Sequence, residues 1–134
     1  MKVIVIIERG ADGTYSAYIE NNELPFGIIG DGNTVAETIA DFQAALNNMR
    51  EYYEKTGKEF PQGLQFEYKY DTASFLQHYA YAFTLAGLER ITGVNQRQLS
   101  HYINGIRKPS KATRERIEQR LHAFGNEISA VRFV

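Results

Sequence analysis

The sequence predicts an α+β protein in two parts, a β-β-β-α-β unit over residues 1–71 and an all-α bundle over residues 72–134. Three observations predict this division. Short β-branched or alternating segments, typical of strands, lie before residue 72, and apolar residues recur at spacings of three and four after it. The charge divides at the same point, because residues 1–71 hold 6 basic and 12 acidic residues and residues 72–134 hold 9 and 4. An overall net charge of −1 thus separates into −6 and +5.

Composition excludes several classes of protein. The 134 residues are 43% hydrophobic, which is ordinary for a globular chain, and include no cysteine. A disulfide framework, a thiolate metal site and a cysteine nucleophile are therefore excluded. No apolar run approaches the roughly 18 residues of a membrane span, and residues 1–8 lack the cleavage site of a signal peptide. We expect a cytoplasmic protein without a membrane partner.

The first three strands follow from local patterns. Residues 3–7 are β-branched throughout and predict a buried strand. Asp12-Gly13 favours a tight hairpin turn, after which Tyr15–Ile19 forms the return strand, ended by Asn21-Asn22. A third short strand is predicted over residues 26–30. Together they form a meander.

A helix and a fourth strand complete the first unit. Thr34 and Glu37 fit a capping box, in which each side chain accepts a hydrogen bond from the backbone N–H of the other. Gly57 is a natural stop for this helix. Its predicted apolar face contains Val35, Ile39, Phe42, Leu46, Met49 and Tyr53. Residues 64–71 alternate apolar and polar, which predicts a strand parallel to the one that it joins through the helix.

Four helices are predicted after residue 72. The first contains Phe75, Leu76, Tyr79, Phe83 and Leu85, and the second covers residues 86–92. Gly93 suits a turn with positive φ. Asn95 is expected to cap a third helix from Gln96 to about Asn104, with Gln98 at the box position, a Val94–Leu99 hydrophobic staple and Gly105 at its end.

The fourth helix begins after a connection at residues 108–110, and Ser110 is expected to cap it. Ile117, Leu121 and Phe124 line one of its faces, and Gly125 is expected to end it. The tail, residues 128–134, is expected to form a strand or an arm. Strand addition to another subunit is one role open to residues 130–134.

Two short helices joined by a glycine turn predict a helix-turn-helix that binds nucleic acid. Its second helix would enter the major groove N-terminus first, with Leu99, Tyr102 and Ile103 facing inward. Gln can bind adenine and Arg can bind guanine bidentately, whereas polar and basic residues after the helix suit phosphates. The predicted DNA-binding residues are Asn95, Gln96, Arg97, Ser100, His101, Asn104, Arg107 and Lys108.

Two parts of the chain resemble known families. Residues 93–110 (GVNQRQLSHYINGIRKPS) resemble the helix-turn-helix of lambda-repressor- and Cro-like regulators, although Ile103 stands where many members carry an acidic residue. Residues 6–8 (IIE), 12–18 (DGTYSAY) and 30–39 (GDGNTVAETI) resemble the HicB antitoxins of bacterial toxin–antitoxin pairs. The two resemblances occur in the order expected for HicB proteins with a C-terminal DNA-binding domain.

The resemblance implies a partial ribonuclease-H-like first domain that blocks HicA, a small basic toxin that cleaves mRNA. It also implies a second domain that binds the promoter of its own operon as a dimer or higher homo-oligomer. The net negative charge of the first unit has the sign that binding of a basic partner would require. The predicted function is therefore a type II antitoxin and operator-binding autoregulator, not an enzyme. A stand-alone regulator whose first domain senses a ligand or dimerises is the main alternative.

Other chemistry is less well supported by the sequence. Glu8, Asp12, Glu20, Asp31, Asp41 and Asp71 invite comparison with the two-metal carboxylate sites of ribonuclease H. Most of them occupy strand ends, turns or a helix face, where carboxylates are normally solvated or capping. The three histidines lack metal-ligand spacing, and the nine tyrosines fit core and interface packing. We predict no catalytic residue, no metal and no cofactor, and place the toxin-binding surface within residues 1–70.

Overall fold

A computed structural model describes residues 1–21 and 24–134. The chain divides into two compact units, unit 1 (Met1–Asp71) and unit 2 (Thr72–Val134). The predicted α+β class is confirmed, since the described residues form one mixed sheet of four strands together with five helices. Asn22, one of the two asparagines expected to end the second strand, lies outside the described residues.

Unit 1 is built on the four-stranded sheet. Its strands are β1 (Lys2–Arg9), β2 (Tyr15–Ile19), β3 (Ile29–Gly32) and β4 (Gln65–Tyr70), in the spatial order β3-β2-β1-β4. The first three form an antiparallel meander, as expected from the hairpin pattern. β4 pairs with β1 in parallel, which confirms the parallel return strand.

Helix α1 (Val35–Lys55) covers one face of this sheet. The Thr34 hydroxyl accepts a hydrogen bond from the Glu37 N–H at 3.1 Å, as the capping pattern predicts. The Glu37 carboxylate instead accepts from the Asn33 N–H at 3.0 Å, so the reciprocal bond lies one residue earlier than expected. The core between helix and sheet contains Val5, Ile7, Tyr15, Ala17, Ile28, Phe42 and Leu46.

The prediction of a third strand over residues 26–30 is wrong at its start by three residues, since β3 begins at Ile29 and ends at Gly32. Phe26 lies outside the strand, with its ring 5.8 Å from that of Tyr53 and 5.4 Å from that of Phe60. The strand itself uses Gly30 and Gly32, where a side chain would collide with α1. The close helix–sheet packing therefore places β3 on the glycines rather than on the aromatic residue.

Unit 2 contains four helices, α2 (Thr72–His78), α3 (Leu85–Thr92), α4 (Gln96–Ile103) and α5 (Lys111–Ser129). They surround a separate core, to which Phe75, Phe83, Leu85, Ile103 and Leu121 add half-buried contacts. The buried residues of this core are Leu76, Leu88, Val94, Leu99, Tyr102 and Ile117.

Two predicted helix boundaries in unit 2 are wrong. The first helix ends at His78 and does not include Tyr79, Phe83 or Leu85. The Thr84 hydroxyl accepts from the Gly87 N–H at 2.9 Å and starts α3, to which Leu85 belongs. The last helix continues through Gly125 to Ser129, and residues 130–134 form no strand. Glycine costs a helix interior only about 1 kcal/mol relative to alanine, so one glycine need not end it.

Candidate nucleic-acid interface

The turn between α3 and α4 is held by backbone and hydroxyl hydrogen bonds. Gly93 adopts φ +73°, as predicted, and its N–H donates to the Glu89 carbonyl at 2.7 Å. The Thr92 hydroxyl donates to the Leu88 carbonyl at 2.7 Å and accepts from the Val94 N–H at 3.1 Å. Because Thr92 is fully buried, these bonds fix the angle at which α4 leaves the turn.

Asn95 caps the start of α4, as the sequence indicates. Its side-chain oxygen accepts from the Arg97 N–H at 2.7 Å. Val94 and Leu99 are both buried in the core of unit 2, in agreement with the predicted staple. The expected box bond from Gln98 is not formed, since its buried Oε1 has no hydrogen-bond partner among the described residues. Asn95 and the staple therefore position this helix end.

Helix α4 separates into a buried and an outward side. Leu99 and Tyr102 are buried and Ile103 is half-buried against the same core, as predicted. Their positions leave an outward side with i, i+4 spacing, on which Gln96, Arg97 and Asn104 are exposed and Ser100 and His101 are half-buried. We call this set, Gln96, Arg97, Ser100, His101 and Asn104, the α4 outer face.

Two side chains of the α4 outer face are already oriented within the protein. The Gln96 amide nitrogen donates to the Glu89 carboxylate at 3.0 Å, which ties the first turn of α4 to α3. The Asn104 amide nitrogen donates to the Ser100 hydroxyl at 3.3 Å. Glu89 was missed as a positioning residue, because it lies on the preceding helix, seven residues before the amide that it holds.

The end of α4 is closed by a glycine motif. Gly105 has φ +72°, and the N–H groups of Gly105 and Ile106 donate to the carbonyls of Tyr102 and His101 at 3.2 and 2.9 Å. This is the Schellman arrangement, which satisfies the last helix carbonyls. Arg107 and Lys108 follow at once and are exposed. In the sequence they therefore follow closely after Asn104, the last residue of the α4 outer face.

A second positioning residue comes from α2. The Gln77 amide nitrogen donates to the carbonyl of Ile103 at 2.7 Å and so ties the last turn of α4 to another helix. No local pattern marks Gln77, because the contact spans 26 residues. Helix α4 is thus held at its start by Asn95 and Glu89 and at its end by Gly105 and Gln77.

Electrostatics favour an anionic ligand for unit 2, whose formal net charge is +5. The ion pair found within its described residues joins Lys111 and Glu115 at 4.0 Å on the surface, which neutralises little charge. Exposed amide and guanidinium groups on one side of a short helix, followed by a guanidinium and an ammonium group just after the helix, can reach bases and phosphates together. The arrangement is chemically suited to duplex nucleic acid.

Three of the acidic residues that could suggest a metal site in unit 1 have local structural partners. Asp12 accepts from the hydroxyl and the N–H of Thr14 at 2.7 and 3.0 Å, and these bonds lower the pKa of Asp12. Asp31 accepts from the Ser16 hydroxyl at 2.8 Å, while Asp41 accepts from the Asp31 N–H at 2.8 Å. Over residues 1–21 and 24–134, no group of three or more histidines or carboxylates is placed to hold a metal ion.

Comparison of the chain with models of known protein families, with curated proteins and with solved structures gives no match. Among the helices of the described ranges, none has the length and apolar character needed to cross a membrane. The α4 outer face and the division of charge between the units therefore carry the functional argument.

Proposed function

We propose that this chain is the antitoxin of a type II toxin–antitoxin pair and represses its own operon. In this proposal unit 2 is a helix-turn-helix domain that binds operator DNA, and unit 1 is a partial ribonuclease-H-like domain that blocks a small basic, HicA-like mRNA-cleaving toxin. The protein acts in the cytoplasm as a homodimer or higher homo-oligomer. It performs no catalysis itself.

The observation that carries the DNA-binding part is the α4 outer face. Helix α4 follows a rigid glycine turn, buries Leu99 and Tyr102, and turns Gln96, Arg97 and His101 outward. A helix of this kind enters the major groove with its N-terminal residues at the base edges. We assign Arg97 and Gln96 to base contacts, and Arg107 and Lys108 to phosphates, because the latter two follow the helix.

The charge of unit 1 supports a basic protein partner. Its net charge of −6 opposes the charge of unit 2, so the two units suit different ligands. Its mixed sheet, with the crossover through α1 from the meander to parallel β4, is compatible with a partial ribonuclease-H-like unit. Asp12 and Asp41, two of the carboxylates that could suggest a metal site, are engaged in a turn and in a backbone contact, which favours binding over metal-dependent hydrolysis.

DNA binding is tested by fluorescence anisotropy of the full chain on the promoter region of its own operon. Arg97→Ala is expected to weaken binding to the operator by about 1–3 kcal/mol, with a smaller effect on unrelated DNA. Lys108→Ala is expected to weaken binding to all sequences alike and to reduce the salt slope by about 1. The control for both variants is Arg120→Ala, which removes the same charge at an exposed position of α5.

Equal weakening by Arg97→Ala on operator and unrelated DNA would remove Arg97 from base readout. Toxin neutralisation is tested separately, by mixing the chain with the small basic protein that the proposal expects to be encoded beside it and measuring both complex formation and mRNA cleavage. Specific DNA binding without complex formation would favour the stand-alone regulator.

A further inference from the structure

Unit 1 has one sheet face that α1 does not cover. The side chains beneath α1 belong to the odd-numbered residues of β1, such as Val5 and Ile7. Strand side chains alternate between faces, so Ile4 and Ile6 lie on the opposite side. The described residues of unit 1 place no helix there. We call the apolar residues of this side, Ile4, Ile6, Tyr18 and Ile29, the open sheet face.

The strand register makes the open sheet face continuous. Ile6 pairs with Tyr18, and Tyr18 pairs with Ile29, so the three side chains form one row across three strands. Ile4 lies two residues before Ile6 on the same face. Ile29 is 62% exposed, although an isoleucine in a strand usually packs against a core. An apolar row of this kind on a one-sided sheet is a typical protein-binding surface.

Carboxylates border one end of the open sheet face. Glu8 pairs across the strands with Ser16, which pairs with Asp31, so a polar row with two carboxylates lies beside the apolar row. The Tyr18 hydroxyl donates to Glu8 at 3.0 Å. Burial raises the pKa of Tyr18, as do the hydrogen bond to Glu8 and the negative charges of Glu8, Asp71 and Glu20. The surroundings of Tyr18 therefore carry negative charge.

Basic residues on the same side are fewer. Lys2 forms an ion pair with Glu67 at 2.6 Å, which offsets its charge, and Lys69 pairs in register with Ile6. An apolar centre with a tyrosine and a charged border is the usual anatomy of a protein interface. The negative border selects a partner with Lys or Arg beside its own apolar patch, and it disfavours a second copy of the same face.

We infer that the open sheet face of unit 1 is the surface on which the small basic partner docks. The apolar row supplies buried contact, and Glu8 and Asp31 supply the complementary charge. This inference rests on the proposed function, from which it takes the identity of the partner. It adds that the partner binds the sheet rather than the outer surface of α1, which is also acidic.

The inference is tested by isothermal titration calorimetry of full-length variants with the purified small basic protein that the proposed function expects to be encoded beside the chain. Ile29→Arg is expected to weaken binding at least tenfold, since it places a cation in the apolar row opposite a basic partner. The matched control is Tyr52→Arg, because Tyr52 is 53% exposed on α1, away from the sheet. Glu8→Gln keeps a hydrogen-bond acceptor for Tyr18, and we expect it to weaken binding more at low salt than at high salt. Its control is Glu51→Gln, which removes the same charge at an exposed position of α1.

Each outcome has a distinct meaning. Weakening by the sheet variants alone supports the inference, whereas weakening by the α1 variants alone overturns it and leaves the antitoxin function intact. No binding by the unmodified chain refutes the proposed function itself. A change of oligomeric mass caused by Ile29→Arg, measured by light scattering, would assign this face to self-association and overturn the inference.

Discussion

Replacing Gly30 by alanine tests the close packing of β3 against α1. A Cβ at this position would lie 2.6 Å from the Thr38 carbonyl oxygen and 2.7 Å from the Phe42 Cα, and it would also meet the Phe42 backbone nitrogen. Ordinary carbon contacts are about 3.5–4.0 Å. The strand and the helix must therefore separate by roughly 1 Å, because backbone atoms cannot rotate out of the way.

The size of the loss follows from the nature of these contacts. Overpacking a core costs typically about 1–3 kcal/mol, and occasionally more. Phe42 is fully buried in the core that the separation would open, so we expect a loss near the upper limit, about 3 kcal/mol. With a urea dependence of about 1 kcal/mol per molar for a small unit, the midpoint for unit 1 should fall by about 3 M.

The measurement is urea denaturation of the full chain followed by ¹H–¹⁵N NMR, which reports the two units separately. Gly27→Ala is the matched control, since a Cβ there meets nothing within 4 Å and the backbone needs no positive φ. We expect the control to change stability by less than about 0.5 kcal/mol. Equal midpoints for the two variants would refute the close contact between β3 and α1.

Three further predictions concern caps, turns and pH. Gly93→Ala and Gly105→Ala both force alanine into positive φ and should each cost unit 2 about 1–2 kcal/mol. The Arg116 guanidinium that a Cβ at Gly93 would meet at 2.6 Å is the end of an exposed, flexible side chain that can move away, so the two losses should be similar, and an unchanged melting temperature in either variant would contradict the positive φ. Thr84→Ala should cost about 1 kcal/mol through loss of the α3 cap, and an unchanged melting temperature would show that this hydroxyl does not cap. The raised pKa of Tyr18 adds stability that is fully present below the unfolded-state pKa of about 10 and is lost as the pH rises through the folded-state pKa. Tyr18→Phe should remove that part of the alkaline loss of stability, and identical stability profiles for the variant and the unmodified chain above pH 9 would contradict it.

Local patterns predicted those parts of the fold that depend on near neighbours in the chain. The caps at Thr34, Asn95 and Ser110 were expected from side chains that bond the backbone two or three residues away. The hairpin at Asp12-Gly13 and the turn at Gly93 required positive φ at the glycine, which both adopt. Thr84 is of the same type and could have been found, since a threonine precedes a helical pattern there.

The sequence predicted which side of α4 faces outward, but not the hydrogen bonds that hold this helix in place. The division of α4 into buried Leu99 and Tyr102 and an outward side follows from helical periodicity alone. The bonds that orient α4, from Glu89 to Gln96 and from Gln77 to Ile103, join different helices. Such contacts depend on how the helices cross, and no spacing within one helix encodes them.

The sequence alone determined the α+β class, the change of pattern at residue 72, the opposite charges on its two sides and the outward side of α4. These properties depend on composition and on periodicities of two and 3.6 residues, which act over a few residues of chain. Only the tertiary structure decided that β3 begins at Ile29, where α1 crosses Gly30 and Gly32 at backbone contact. It also decided which face of the sheet stays open, because one helix cannot cover both faces and the choice between them is made by packing across the chain.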